Sequence, residues 1–362
     1  MMETAVSVVM PIYNASKFLK ESLGGLVQQA LKNIEIICVN DGSTDDSLEI
    51  MRKYAFNDDR IKIIDKANSG YGNTMNEGIK IATGEYIGIL EPDDFSDINM
   101  LEALYSVAKQ YDADVVKSNY YEYSQSQQRN TFFEVLDGLE YNKVTSAEEN
   151  EKIIFRRPCI WSAIYRRSFL KQHHIVFNET PGASYQDTAF AFKVWVSARR
   201  VVFVKEAYLH YRIDNENSSV KSSGKVFSIC DEFQSMHSFL NEDKKLKDKY
   251  SKIIQVLKLD SYMWNLNRIA PEFRSAFRDQ IALEYMKADY EGVLDRDYFD
   301  DARWNCVQEI LGNYKCKTEM GDQDSVYALK QRIKDLENSN SYKFGHAVMF
   351  VPGKILRLLK IK

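Results

Sequence analysis

What most constrains this chain is a rhythm in its first half. Apolar runs of strand length, without polar alternation, are separated by segments of helical spacing. The runs are "AVSVVMPIY" (Ala5–Tyr13), "IEIICVND" (Ile34–Asp41), "IKIIDK" (Ile61–Lys66) and "YIGIL" (Tyr86–Leu90). Between and after them, Lys17–Leu31, Ser43–Ala55, Asn73–Ala82 and Ile98–Tyr111 predict helices. "DVVKSNYYEY" (Asp114–Tyr123) is a fifth strand candidate. A strand that is apolar throughout has to be covered on both faces. The pattern therefore predicts an α/β domain with a mainly parallel sheet and flanking crossover helices.

From Ser124 to Val144 the pattern weakens and reads as a long loop or an edge hairpin. Short helices are expected at Ala147–Phe155, Ser168–His173 and Thr188–Ala198, and a further strand at "VVFVKEAYLHYR" (Val201–Arg212). After about Lys225 strand signals vanish and four or five helices follow, to Gly312. The expected domains are thus 1–220, a helical region 221–320 and a terminal segment 321–362. In that last segment Val326, Leu329, Ile333 and Leu336 keep heptad-like spacing over 324–338, a surface for self-association or for packing on the parent domain. The final stretch, 342–362, carries Lys343, Lys354, Arg357, Lys360 and Lys362 among apolar residues and no acid. It reads as a membrane-surface segment, with a basic helix docked on an acidic body as the alternative.

Bulk properties narrow the function classes. The formal net charge of -4 gives no basic field for nucleic acid, and none is expected as a partner. The five cysteines are scattered, without a C-x-x-C pair, as in a reduced cytoplasmic protein. The N-terminus has no basic stretch leading into an apolar one, and no apolar run approaches the ~18 residues of a membrane span. A cytoplasmic location is expected, with peripheral contact at the inner membrane face through 342–362.

The chemistry concentrates where strands end. "PIYN" closes the first strand, "NDGSTDDS" the second and "EPDD" the fourth; "NSGYGNTMNEG" (Asn68–Gly78) precedes the third helix. In parallel α/β sheets ligands bind outside these strand ends. An Asp beside Gly and Ser can accept a uracil imide N–H while its small neighbours let the base approach. Clustered carboxylates supply hard oxygen ligands for Mg²⁺ or Mn²⁺, and a cation with a phosphate would offset the cost of carboxylates ending a buried strand.

From Ala5 to about Ser219 these motifs, in this order, resemble the inverting family 2 glycosyltransferases, whose fold is the Rossmann-like GT-A fold. The resemblance implies a UDP-sugar donor, a Mn²⁺ or Mg²⁺ cofactor and a glycan or lipid-linked acceptor in cell-surface polysaccharide synthesis. It implies Asp41 on the uracil, with Pro11 and Tyr13 lining the base. Asn68, Gly70 and Asn76 fall on the nucleotide side. Glu91 takes the first position of the D-x-D-D motif, on the ribose or a metal-bound water. Asp93 is implied as the main metal ligand, with Asp94 beside it. "TPGASYQDTAF" resembles the E-D-x-x-F segment, which makes Asp187 the general base. Trp161, Tyr185 and Gln186 fall on the acceptor side. His210 is implied at the metal and Arg212 at the diphosphate. Three positions depart from the pattern: Met75 stands before Asn76 where Arg is usual, Gln186 replaces Glu, and Glu91 replaces Asp.

Two other readings compete. A nucleotidyltransferase would carry a Gly-rich signature with Arg and Lys after the first strand, which "PIYNAS" lacks. A non-catalytic assembly partner would use 324–338 and turn over nothing. No G-x-G-x-x-G follows the first strand, which makes a dehydrogenase weaker still, and no G-x-x-x-x-G-K-[ST] occurs, which excludes a P-loop enzyme.

Overall fold

The computed structural model describes residues 4–215 and 226–319, with 314–319 as backbone only. The heptad-like stretch 324–338 and the basic tail 342–362 lie outside the described residues. The chain divides into two compact units, one of Met1–Ser222 with Cys230–Leu246, the other of Ser223–Ile229 with Lys247–Lys362.

The first unit is built on a ten-stranded sheet. Its strands are β1 (Val6–Ile12), β2 (Ile34–Asp41), β3 (Ile61–Lys66), β4 (Tyr86–Ile89), β5 (Phe95–Ser96), β6 (Val115–Ser124), β7 (Arg129–Phe133), β8 (Val144–Thr145), β9 (Ala163–Arg166) and β10 (Val201–Arg212). The main order is β3-β2-β1-β4-β9-β6-β10-β5. Helices α1 (Ser16–Val27), α2 (Ser47–Asn57), α3 (Tyr71–Ile81), α4 (Met100–Tyr111), α5 (Arg167–Gln172) and α6 (Gln186–Ser197) connect them. Every residue of β1 and β2 is buried, which is why neither run alternates. Each such Val or Ile contributes about 1.5–3 kcal/mol relative to an exposed one.

The long ladders, β3-β2-β1-β4 and β6-β10, are parallel, as the unalternated runs require. Short antiparallel strands complete the sheet. β9 inserts between β4 and β6, and β7 folds back on β6. The weak stretch from Ser124 thus opens with an edge hairpin. The helix expected at Ala147–Phe155 is only a 3-10 turn, Glu151–Ile153. Asn150 caps that turn through its side chain, and Pro158 soon afterwards disfavours continuation.

Among the described residues five α-helices follow the sheet: α7 (Ser228–Glu242), α8 (Lys244–Tyr250), α9 (Ile253–Arg268), α10 (Arg274–Tyr290) and α11 (Asp301–Glu319). Cys230–Leu246 clusters with the sheet. In the second unit α9 and α10 are tied by Tyr285 Oη donating to Gln255 O at 2.6 Å and by the ion pair Lys258–Glu284 at 3.1 Å.

One helix underpins the acidic turn that follows β4. From α1, Ser22 Oγ donates to Pro92 O at 2.8 Å, and just past its end Gln29 Nε2 donates to Asp97 O at 2.8 Å. The "EPDD" turn is therefore held from below by buried donors before any ligand arrives.

Candidate active site

Because β1 pairs in parallel with both β2 and β4, the carboxyl ends of these three strands lie side by side. β1 ends in buried Pro11 and runs into Tyr13, a ring that is 54% exposed. β2 ends in Asn40 and Asp41, both buried. Past β4 come Glu91, Asp93 and Asp94.

Asp41 works inside the protein. One carboxylate oxygen accepts from Ser69 N at 2.8 Å and from Lys66 Nζ; the other accepts from Gly70 N at 3.0 Å. These bonds fix the loop that presents exposed Asn68 and turns at Gly70. Gly70 has φ +92°, and a Cβ there would come within 2.9 Å of Gly182 N and Thr180 O. The loop thus lies against residues 180–182, and Tyr71 N donates to Gly182 O at 3.0 Å.

Asn76 locks the same junction. Its Nδ2 donates to Phe177 O at 2.9 Å and Glu179 Oε1 at 3.0 Å, and its Oδ1 accepts from Phe177 N at 2.9 Å. Both ends of the Asn76 amide are thus bonded to the loop before α6. Gln186 does likewise. Its Oε1 accepts from Ser184 N, and its Nε2 donates to Thr180 Oγ1 at 2.9 Å and Gly182 O at 3.2 Å. Buried and fully bonded, Gln186 closes the loop rather than facing an acceptor. A Cβ on Gly72 would sit 1.8 Å from Asn178 O, with backbone on both sides. Gly72→Ala is expected to push this loop off α3 and to lower stability by about 2–4 kcal/mol, measured by chemical denaturation.

The loop delivers Tyr185, with φ +65°, and then Asp187 in the first turn of α6. Asp187 Oδ1 accepts from Thr188 Oγ1 at 3.4 Å. Burial pushes its carboxyl up to about 6, against hydrogen bonds to Thr188 and the charge of Arg157. Glu91 accepts from Tyr71 Oη at 2.6 Å, yet burial, with the charges of Asp93 and Asp187, pushes it up to about 8. Asp94 is buried and raised well above the carboxylate range, chiefly by desolvation and then by Asp93. Its Oδ1 accepts from Arg212 N at 2.9 Å, while its Oδ2 has no partner among the described residues. Asp93 accepts from Asn215 Nδ2 at 2.8 Å. Glu91, Asp93, Asp94 and Asp187 thus form one acidic group whose members feel one another's charge and which holds more carboxylate than its donors satisfy, Asp94 Oδ2 having none among the described residues.

That surplus fits a divalent cation. No group of three or more His, Cys, Asp or Glu among the described residues forms a cage of protein ligands alone. The donor set instead suits Mg²⁺ or Mn²⁺ held by one or two carboxylates together with a substrate's phosphates.

Two residues expected on the cation side have protein partners. His210 lies stacked between Phe95, at 4.4 Å, and Tyr121, at 5.1 Å. Its Nδ1 faces Asn130 Oδ1 at 2.7 Å and its Nε2 faces Asp97 Oδ1 at 3.2 Å, so both ring nitrogens are committed away from a metal. Arg212 is buried beneath the acidic turn. Its Nε donates to Asp93 O at 2.8 Å, and its two terminal nitrogens to Gln125 Oε1 at 2.9 Å and Glu21 Oε2 at 2.6 Å. These bonds brace the turn from inside.

Trp161 is 8% exposed, with one face stacked on Tyr211 at 5.2 Å and Tyr120 edge-on at 4.7 Å. The half-exposed ring of this group is Tyr211. Sequence reasoning missed Tyr71, Tyr211 and Arg157. Tyr71 stands inside the Gly/Asn-rich loop and Tyr211 between His210 and Arg212, where more conspicuous chemistry drew attention; the pair of arginines in "FRRPC" was the available signal for Arg157.

Against known proteins, the sequence model described as "Glycosyl transferase family 2" matches residues 7–173. The uncharacterized glycosyltransferase EpsJ of Bacillus subtilis is 36% identical over 219 residues, 59% of this chain and 62% of that protein. The glycosyltransferase GlyG of Streptococcus pneumoniae is 35% identical over 219 residues, 58% of this chain and 71% of its own. The chain thus spans somewhat under two thirds of EpsJ. Among solved structures, residues 1–349 of S. aureus TarS, crystallised with UDP-GlcNAc, share the fold. The TM-score is 0.54 at 20% identity, over 86% of this chain and 92% of that one. The chain belongs to glycosyl transferase family 2.

Proposed function

We propose that this chain transfers a sugar from a UDP-sugar to a hydroxyl of a glycan or lipid-linked acceptor, with inversion, in the synthesis of a surface polysaccharide. The observation that carries this reading is the nearness of Asp187, at the start of α6, to Glu91 of the acidic turn after β4, with the exposed Tyr13 at the end of the neighbouring strand β1. The TarS complex with UDP-GlcNAc, on a related fold, supports the choice of donor.

Asp187, ionised, takes the proton from the acceptor hydroxyl as that oxygen attacks the anomeric carbon from the face opposite the UDP. Tyr13 offers a face to the base, and the loop held by Asp41 and Gly70 shapes the nucleotide's bed. Glu91, fixed by Tyr71, reaches the ribose. Asp93, with Asp94 behind it, would hold Mn²⁺ or Mg²⁺, which when bound neutralises charge on the leaving diphosphate.

Among the described residues no helix is long and apolar enough to cross a membrane. Contact with a lipid-linked acceptor would then fall to the basic stretch 342–362, acting peripherally at an anionic membrane face. The test is a panel of UDP-sugars assayed for UDP release with Mn²⁺. One sugar should turn over and chelation should stop it. A chain that binds UDP but releases none from any sugar would instead be a non-catalytic partner.

A further inference from the structure

Other basic side chains near the site are engaged within the protein: Arg212 under the acidic turn, His210 on Asp97 and Asn130, Lys66 on Asp41. Buried Lys117 donates to Cys159 O and Ser162 Oγ. Arg157 is differently placed. Its guanidinium lies over the rings of Phe133 and Tyr211, 5.7 Å from each centroid. One terminal nitrogen donates to Tyr120 Oη at 2.8 Å and stands 3.7 Å from Glu122 Oε1. Among the described residues no other side-chain bond to it occurs, and 46% of its side chain is exposed.

Tyr211, one of these two rings, directly precedes Arg212, whose backbone N donates to Asp94 Oδ1 at 2.9 Å, which ties the ring under Arg157 to the acidic turn. Tyr211, on which it stacks, lies in the fields of Asp93, Asp94 and Arg157 together, and Asp187 feels its charge. Two aromatic faces hold the planar fork in place before a ligand arrives, which lowers the ordering cost of binding. The unused donors match a tetrahedral or planar oxyanion, and charge-assisted bonds of this kind are the strong ones.

We propose that Arg157 binds a phosphate oxyanion beside this acidic group, presented either by the diphosphate of the donor or by a phosphate on the acceptor. This rests on the UDP-sugar reading and adds a residue that the motif did not point to. The experiment is calorimetric titration of the full chain in Mg²⁺, as wild type, Arg157→Gln and Arg157→Lys, with uridine, UDP and inorganic phosphate as probes. Phosphate is titrated into the free chain and into its UDP complex.

If the donor is the source, Arg157→Gln weakens UDP about 10- to 100-fold, leaves uridine unchanged, and Arg157→Lys recovers part of the loss. If the acceptor is the source, UDP is unaffected, while phosphate binds the wild-type UDP complex and not the Gln variant. Unchanged UDP and phosphate binding across the three proteins overturns the proposal. A wild type that binds phosphate through Arg157 but no UDP would sink the donor reading alone. Thermal unfolding of each variant, expected within a few degrees of wild type for so exposed a side chain, separates lost binding from lost fold.

Discussion

Asp187→Asn is expected to lower sugar transfer by about 10²- to 10⁴-fold while leaving UDP affinity within about twofold of wild type. The asparagine keeps the size and most of the polarity of the side chain, so the first turn of α6 and the loop that Gln186 closes remain in place. What it removes is the carboxylate that accepts the acceptor's proton. The pH profile sharpens the test. Burial holds the Asp187 carboxyl up at about 6, against an ordinary 3.8. The active form is the ionised one, so kcat/KM rises with pH through about 6 and levels off above it. The variant should lose that rise. Stability runs the other way. A folded carboxyl with a raised pKa favours the protonated state, so its contribution is intact below the unfolded value and is lost as pH rises through about 6. At pH 8 Asp187→Asn should therefore unfold later than wild type, by about 1–3 kcal/mol in chemical denaturation. A variant that keeps full turnover, or a flat wild-type profile between pH 5 and 7, removes Asp187 from the role of base.

The parallel part of the sheet was legible because its physics is local. β2 and β3 carry the boundaries that their runs display: β2 is buried along its whole length and needs no polar alternation, while β3, at the sheet's edge, exposes Lys62 and Asp65. β9 was not legible. Four residues are too few for a period to register, and its pairing of Tyr86 with Arg166 joins segments far apart in sequence. The acidic site shows the same division. That Glu91, Asp93 and Asp94 gather at a strand end could be read from residue type and position, whereas Asp187 was pointed to only by the resemblance of its segment to E-D-x-x-F. Whether a polar group is available for a ligand depends on what stands across from it in space. Arg212, His210, Asn76 and Gln186 look like ligand contacts in sequence, yet each meets an internal partner supplied by another element. Arg157 reverses the case: nothing beside it in the chain announces the two rings, from β7 and β10, that hold it.

Arg212→Met separates a brace from a contact. Methionine keeps much of the apolar stem that packs where the guanidinium now lies over Phe18, at 4.6 Å, and Tyr123, at 5.1 Å. It removes three donors at once, leaving Asp93 O and Gln125 Oε1 without their partner beneath the turn. Groups stranded in this way cost about 1–3 kcal/mol each. A total near 3 kcal/mol lowers the melting temperature of a unit this size by roughly 6–12 °C. Glu21, the ionic partner, is 50% exposed, so Glu21→Gln should cost about 1 kcal/mol or less. The asymmetry is the diagnostic. If Arg212 served the diphosphate, its loss would weaken UDP and leave the melting temperature near that of wild type. As a brace, its loss lowers the melting temperature first. UDP affinity then falls only to the degree that the unsupported turn no longer holds Asp93 and Asp94 in place, and saturating Mg²⁺ with UDP should recover part of the lost stability by binding the folded state alone.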